Sequence, residues 1–418
     1  MIRFISALAI AICIAASAHA DVLDLLRAGL AARSRGDFDA AISFYTQAIN
    51  TDALAPPHLA VVLNSRGVAY DIKGDPDKAI KDFDAAIQLK ADYAEAFINR
   101  GLAWVNKSEY DHAIVDFTEA ASLDARGAFL AFSNRGGAYA DKGDYDRAIE
   151  DYGRAIRLRP DYADAYYGRA RTYTALGQTE NAIADYDAAI RIKPNFPDAY
   201  NNRGVLNIAK GETAQAIADF DAAIRFNPND PSPFVNRGYA FEVKGEYDRA
   251  ISDFNEAIRR DPYSASLYFN RGVARLYSGR ADAAVQDFAI GVRFHPSDAY
   301  AVIWLHLARV RAGQDDRQEF TRNAANIDRS KWPGLIVDLH LGSVSGEVVS
   351  SVTLSDGEAK ARRKRACEIE FHLAIFELGH GARDEALQHL RTAADTCPLG
   401  DIERVAAAAQ LAEIESKQ

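Results

Sequence analysis

An all-α solenoid of stacked helix hairpins is the fold this sequence predicts, and three observations predict it. A motif of the type Asn-Arg-Gly recurs with its glycine at Gly67, Gly101, Gly136, Gly204, Gly238 and Gly272, with Ala170 in the same slot, at intervals of 34, 35, 34, 34, 34 and 34 residues. Between successive motifs, small and apolar residues recur at offsets of three and four, the period of an α-helix. Pro160, Pro194, Pro228, Pro262 and Pro296 close successive units, where a helix must stop. A fixed period of this length means copies of one supersecondary unit, none able to bury its apolar face alone.

The chain begins with a different kind of segment. In residues 1–20 Arg3 is the only charge, Phe4 to Ala16 is apolar, and Ala18-His19-Ala20 puts small residues at both positions a signal peptidase reads. Thirteen apolar residues are too few to span a bilayer as an anchor. We therefore expect a cleavable leader over 1–20, Asp21 as the first mature residue, a periplasmic location and no stable membrane insertion afterwards. A lipid anchor on Cys13 is disfavoured, because Ile12 stands where a lipidation signal needs a small residue.

The array is expected over residues 21–330 in about nine units. Its first unit carries Gly29, Gly36, Ala41 and Ala48 in register. Seven residues after the first glycine slot comes a second glycine, at Gly74, Gly143, Gly177, Gly211, Gly245 and Gly279, suited to the turn between two helices. A small residue follows, such as Ala79 or Ala216, and then an aromatic, such as Phe83 or Phe220. The ninth unit, about 299–330, keeps Gly313 but has His306 and Gln318 in the glycine and small-residue slots. Around 331–366 the register breaks at Trp332, Pro333 and several glycines, and 331–418 is expected as a C-terminal region. Within it a tenth unit at about 367–400 carries Ala374, Gly381, Ala386, Ala393 and Pro398, and an alanine-rich final helix serves as a cap.

These slots resemble the tetratricopeptide repeat: small residues at two crossing points, an aromatic between them and a proline at the end. The resemblance implies antiparallel helix pairs coiling into a right-handed superhelix over 22–330. The first helix of each pair would line a concave face that holds polypeptide.

Two polar positions repeat with the scaffold. Arg66, Arg100, Arg135, Arg169, Arg203, Arg237 and Arg271 precede the glycine slot, and sixteen residues later stand Asp82, Asp116, Asp151, Asp185, Asp219, Asp253 and Asp287. The strict pairing predicts structural ion pairs between the two helices of a hairpin, each contributing about 0.5–1 kcal/mol if partly exposed. Before the arginine stands Asn99, Asn134, Asn202, Asn236 or Asn270, with Ser65 and Gly168 as exceptions. These asparagines resemble the residues with which tetratricopeptide proteins hold a peptide main chain, and a carboxamide can bracket a peptide unit because it both donates and accepts. The competing expectation is that the same amides tie neighbouring units together.

Composition narrows the function further. The formal net charge is −10, and loss of Arg3 with the leader makes the mature chain more acidic still. A chain this acidic does not grip nucleic acid through its bulk field. No GxSxG, HExxH, phosphate-binding loop or CxxC occurs, so no catalytic residues, cofactor or metal are expected. His372, His380 and His389 lack ligand spacing and read as packing or surface histidines. The basic run Lys360, Arg362, Arg363, Lys364, Arg365 reads as a solvated helix start. Cys367 and Cys397 fall at the start of one helix and just past the end of its antiparallel partner. In an oxidising compartment they are expected to bond, with two buried thiols as the alternative.

A second resemblance covers roughly residues 299–417. Lys331-Trp332, Ile336-Val337, Leu341-Gly342, Phe371-His372-Leu373 and Glu377-Leu378-Gly379 occur in an order similar to the C-terminal half of NlpI-type envelope lipoproteins. Those are non-catalytic adaptors that bring a periplasmic protease to cell-wall hydrolases, and the resemblance allows a homodimer. The functional expectation is a periplasmic adaptor binding other proteins or extended peptide segments, with a holdase for unfolded envelope proteins as the alternative.

Overall fold

The computed structural model describes residues 18–351, 358–398 and 401–416. The leader expected over 1–20, including Cys13, lies outside the described residues except for Ala18–Ala20, which form the first turn of the first helix. The chain divides into two compact units, residues 1–194 and 195–418. Each is all helical among its described residues.

In the first unit the helices pair in sequence: α1 (Ala18–Ser34) with α2 (Phe38–Ile49), α3 (Pro56–Ile72) with α4 (Pro76–Leu89), α5 (Ala94–Asn106) with α6 (Tyr110–Leu123), α7 (Ala128–Lys142) with α8 (Tyr145–Leu158), and α9 (Ala163–Ala175) with α10 (Thr179–Ile192). The second unit continues the pattern: α11 (Pro197–Ala209) with α12 (Thr213–Phe226), α13 (Ser232–Val243) with α14 (Tyr247–Arg260), α15 (Ala265–Tyr277) with α16 (Ala281–Phe294), and α17 (Ala299–Arg311) with the short α18 (Arg317–Ala324). Then come α19 (Gly334–His340) and α20 (Gly346–Ser350), the pair α21 (Ala359–Gly379) and α22 (Arg383–Thr396), and α23 (Ile402–Ser416). First helices touch the first helix of the next hairpin, as α5 does α7 and α11 does α13, so within each unit they form one layer.

The glycine slot of the first helix receives the aromatic ring of the second. A methyl added at Gly101 would lie 2.6 Å from Phe117 Cε1, and at Gly204 the same distance from Phe220 Cε1. Both rings are fully buried. Ala170 fills this slot with a methyl. Two residues earlier, Gly168 leaves room for the Tyr152 ring of the preceding hairpin, which would sit 2.5 Å from any Cβ at that position.

The turn slot shows why glycine recurs there. Gly74, Gly143, Gly177, Gly211, Gly245 and Gly279 all have φ between 71° and 86°, the left-handed region that a side chain disfavours. In the third hairpin Ser108 occupies this slot with φ 61°, where a Cβ costs roughly 1 kcal/mol. Some second helices carry their own start signal. Asp75 caps α4 by accepting from the Lys78 backbone N–H, and Pro76 follows at the first helical position.

The ninth hairpin departs from the pattern for a visible reason. His306 in the glycine slot stacks on Phe320 with ring centroids 4.2 Å apart, and its Nδ1 lies 2.9 Å from Asp316 Oδ2. The second helix of this hairpin is only eight residues long.

Beyond it the C-terminal region shares one core with the last hairpins. Trp304 is fully buried between Phe288 of the array and Phe371 of α21, with ring centroids 6.0 and 5.8 Å away. Ile336, Leu339 and Ile414 belong to the same cluster. The final helix, expected only as a cap, returns to the first-helix layer. α23 packs on α21, α22 and α15, and Arg311 of α17 donates to Gln410 at 2.6 Å and pairs with Glu413.

Replacing Ser108 with glycine should raise the stability of the first unit by about 1 kcal/mol, read as a shift of the denaturation midpoint without a change in its slope.

Candidate functional site

The arginines hold the scaffold together. In all seven hairpins the guanidinium Nε and Nη2 donate to the two oxygens of the aspartate sixteen residues on. The distances run from 2.5 to 3.0 Å across the pairs Arg66–Asp82, Arg100–Asp116, Arg135–Asp151, Arg169–Asp185, Arg203–Asp219, Arg237–Asp253 and Arg271–Asp287. All seven aspartates are buried, while each arginine keeps 11–22% of its side-chain surface exposed.

The third nitrogen, Nη1, reaches the preceding hairpin. It donates from Arg66 to Thr46, from Arg100 to Asp84, from Arg135 to Thr118 and from Arg271 to Asn255, at 2.6–3.0 Å, and from Arg237 to Asp221. The sequence signal for this contact is the polar residue just after each aromatic. Gly153 has no such side chain to offer Arg169.

At Asp116 burial outweighs the bonds from Arg100 and leaves the carboxyl raised. The gain from such a pair therefore lies more in orienting three helices than in net stability. Removing one member is a different matter, because it strands a largely buried guanidinium or a buried carboxylate. Asp151→Ala should cost about 3–5 kcal/mol by denaturant titration, while joint replacement of Arg135 and Asp151 by leucine and alanine should cost less.

The asparagines divide into distinct environments. Asn99 is buried, and its Nδ2 donates to Asn64 Oδ1 at 3.0 Å. Asn64 in turn donates to Tyr93 and Glu95 of the next hairpin. Asn236 repeats the link, donating to Asn201 at 2.9 Å. Each tie joins the residue before one arginine to the residue two before the preceding one. Asn134 is buried too, but Ile98 holds the partner position, and the Asn134 Nδ2 has no hydrogen-bond partner. Asn99 and Asn134 therefore do not stand open to a peptide, which corrects the expectation of five exposed amides: both are sealed by the packing of adjacent first helices. Asn202 is half-buried on α11.

Asn270 differs. Val235 stands in its partner position, and the amide lines a cavity of about 360 Å³ together with Asn236, Tyr239, Glu242, Phe254 and Ile402. The cavity lies within the second unit, where α13 and α15 face the start of α23. A neighbouring cavity of about 520 Å³ lies beside Tyr239, Tyr247, Tyr277 and the α23 residues Val405 and Ala409. A third, of about 620 Å³, is lined by Phe269, Tyr300, Lys364 and Glu403. Sequence reading missed Glu242 and Glu403, and it missed that α23 walls the site.

The other predicted residues fall as follows. Cys367 and Cys397 form a disulfide, with Cα atoms 5.1 Å apart. In the chain-entropy account, closing a loop of this length contributes about 3.6 kcal/mol. His372 is buried against His340, with ring nitrogens 3.2 Å apart, and burial drives its pKa down to about 3. His380 meets the Phe376 carbonyl, and His389 lies between Glu370 and Glu377. In the basic run, Arg365 lies over the Trp332 ring and Lys364 over Tyr300. Among the described residues no group of three His, Cys, Asp or Glu could hold a metal ion. No helix there is long and apolar enough to cross a membrane.

Repeat-family profiles match much of this array. A profile described as a TPR repeat matches residues 136–173 and 170–211. Profiles described as tetratricopeptide repeats match 25–56, 60–93, 197–230 and 235–314. Together they cover more than half of the chain. It belongs to the tetratricopeptide repeat family. Several solved proteins are similar to part of this chain. YrrB, described as a TPR protein with an unusual peptide-binding site, is 23% identical, with 46% of this chain and 97% of that one covered and a TM-score of 0.41. MamA is 28% identical, with 39% and 94% covered and a TM-score of 0.35. A tetratricopeptide repeat protein from Parabacteroides merdae is 21% identical, with 60% and 98% covered and a TM-score of 0.43. No curated protein matches the chain. The fold is that of a protein-interaction scaffold, and the likeness of residues 299–417 to NlpI-type adaptors rests on sequence elements alone.

Glu403 on α23 gives the site a pH signature. Burial, with the Glu368 carboxylate nearby, pushes its carboxyl up to about 7 from 4.5, against weaker opposition from Lys364. The folded state thus holds the proton more tightly than the unfolded one. The stabilisation is complete below about pH 4.5 and is lost as pH rises towards 7. Glu403→Gln should remove that slope and leave the variant more stable than the parent by about 3 kcal/mol at pH 8, with no gain at pH 4. Equilibrium unfolding of both proteins across this range checks it.

Proposed function

We propose that this tetratricopeptide protein is a non-catalytic adaptor of the bacterial periplasm that binds an extended stretch of another protein on the first-helix face of its second unit. The observation that carries the reading is the Asn270 amide, which lines the 360 Å³ cavity beside Asn236 and Tyr239. Among the described residues nothing bonds it. An unengaged carboxamide next to apolar and aromatic side chains is suited to bracket a peptide unit while the ligand buries a side chain. Regular spacing of first helices along the layer suits an extended chain, which presents its amides periodically.

The compartment is supported by the leader-like residues 1–20 and by the Cys367–Cys397 bond, since disulfides persist where the surroundings are oxidising. A link to envelope proteases or cell-wall hydrolases is supported by the NlpI-type resemblance alone.

A photo-crosslinking residue in place of Tyr239, in otherwise intact secreted protein, tests the reading. The expected outcome is a few discrete adducts in cells, each reduced at least fivefold by Asn270→Ala, while the melting temperature moves by no more than about 2 °C. A broad smear of unfolded envelope proteins would favour a holdase instead. Absence of adducts with the protein folded would refute polypeptide binding at this face.

A further inference from the structure

The fourth position after the glycine slot is apolar or small in most hairpins: Val105, Ala140, Thr174, Ile208, Leu276 and Val310. Two hairpins put a carboxylate there. Asp71 is accounted for, since it accepts from Asn106 Nδ2 at 2.9 Å. Glu242 is not. Only 4% of its surface is exposed, its Oε1 has no hydrogen-bond partner, and its side chain borders both the 360 Å³ and the 520 Å³ cavities.

A buried carboxylate without a partner is expensive, and a native fold keeps one where something else completes it. The cations nearby are already engaged. Lys244 pairs with Glu246, Arg311 pairs with Glu413 and donates to Gln410, and Arg404 donates to the Cys397 carbonyl at 2.6 Å. Burial alone raises the Glu242 carboxyl, with no opposing charge among the causes, and burial together with the Glu242 charge pushes the Tyr247 hydroxyl up to about 12.

The wall around the carboxylate is aromatic. Tyr239, Tyr247 and Tyr277 line the larger cavity with it. Tyr277 already shows what such a ring accepts, with the Arg311 guanidinium 5.5 Å from its centroid. A carboxylate set among tyrosine rings, in a cavity within the ~300–1,000 Å³ range of ligand pockets, has the chemistry that recognises a desolvated organic cation.

We propose that Glu242, with Tyr239, Tyr247 and Tyr277, forms a pocket for a cationic side chain, lysine or arginine, of the bound polypeptide. This rests on the polypeptide-binding reading and adds the charge of the residue to be recognised. An acidic tetratricopeptide chain would thereby select a basic residue at one defined place in its ligand. The long stem of lysine or arginine would run along Val405 and Ala409 of α23, and its head would meet Glu242.

The test uses the full mature chain and fluorescent decapeptide pools, degenerate except for one fixed central residue: lysine, arginine, norleucine or glutamate. Binding is read by fluorescence anisotropy against the parent protein, Glu242→Gln and Glu242→Leu. The leucine variant copies the residue that Leu276 supplies in the same slot of the next hairpin, so it preserves the packing. The lysine or arginine pool should bind the parent at least tenfold more tightly than the norleucine pool, and the larger of the two ratios identifies ammonium or guanidinium. Both variants should melt at or above the parent temperature and reduce that ratio below twofold, with the norleucine affinity unchanged. A parent that binds all pools equally, or a cationic preference that survives both variants, overturns the proposal and leaves polypeptide binding standing. Binding of no pool overturns both.

Discussion

One side chain per repeat organises this molecule. The arginine before the glycine slot clamps the aspartate of its own second helix with two nitrogens, and with the third it reaches the second helix of the preceding hairpin from Arg66, Arg100, Arg135, Arg237 and Arg271. A planar fork can serve three helices at once because its donors are fixed relative to one another, which a lysine could not do. Everything beside it inherits that registration. The glycine next in sequence must accept a ring from the clamped second helix, and the asparagine before it is carried against the neighbouring first helix. Apolar contact supplies most of the cohesion, but it is non-directional, and the guanidinium fork sets the angle at which the layers meet.

Much of the scaffold was legible because each rule is stated many times in the chain. Gly74 and its equivalents, the ring opposite Gly101 and the partner of Arg135 all follow from offsets within one hairpin. The exceptions were legible only in three dimensions. Gly168, outside the repeated glycine slot, makes room for the Tyr152 ring of the preceding hairpin. The asparagines were read by their own slot, whereas their environment is set by a second slot one hairpin earlier: Asn64 and Asn201 engage Asn99 and Asn236, while Ile98 and Val235 leave Asn134 and Asn270 without that partner. Burial then separates these last two. Least legible was the return of α23. Nothing in an alanine-rich helix says which earlier surface it will meet, and the pairing of Arg311 with Glu413 spans more than a hundred residues.

The second unit collects its buried glutamates around that returning helix. Glu368 is held by the Tyr300 hydroxyl and the Trp332 indole, Glu403 lies on α23 itself, and Glu242 faces it from α13. Each burial is costly in isolation, and the three differ in what surrounds them: Glu368 has neutral donors and Lys364 3.7 Å away, Glu403 holds its proton up to about pH 7, and Glu242 sits beside aromatic rings with its Oε1 unbonded. A repeat protein gains function by breaking its own pattern at a few slots. Here the proposed break is one carboxylate, Glu242, where neighbouring hairpins carry isoleucine or leucine.

The bond between Cys367 and Cys397 also decides how the chain would carry tension. A pull on the C-terminus first peels α23, which lies beyond Cys397 and is held by side-chain contacts alone. Once it is stripped, force passes directly from Cys397 to Cys367 through sulfur, and the segment between them is out of the path. The hairpin of α21 and α22 cannot be drawn out as a strand while that bridge stands. Its reduction would release about 100 Å of additional contour, at roughly 3.3–3.6 Å for each residue of the bypassed loop. The fully extended length of the tail thus takes one of two values, according to whether the sulfur bridge stands.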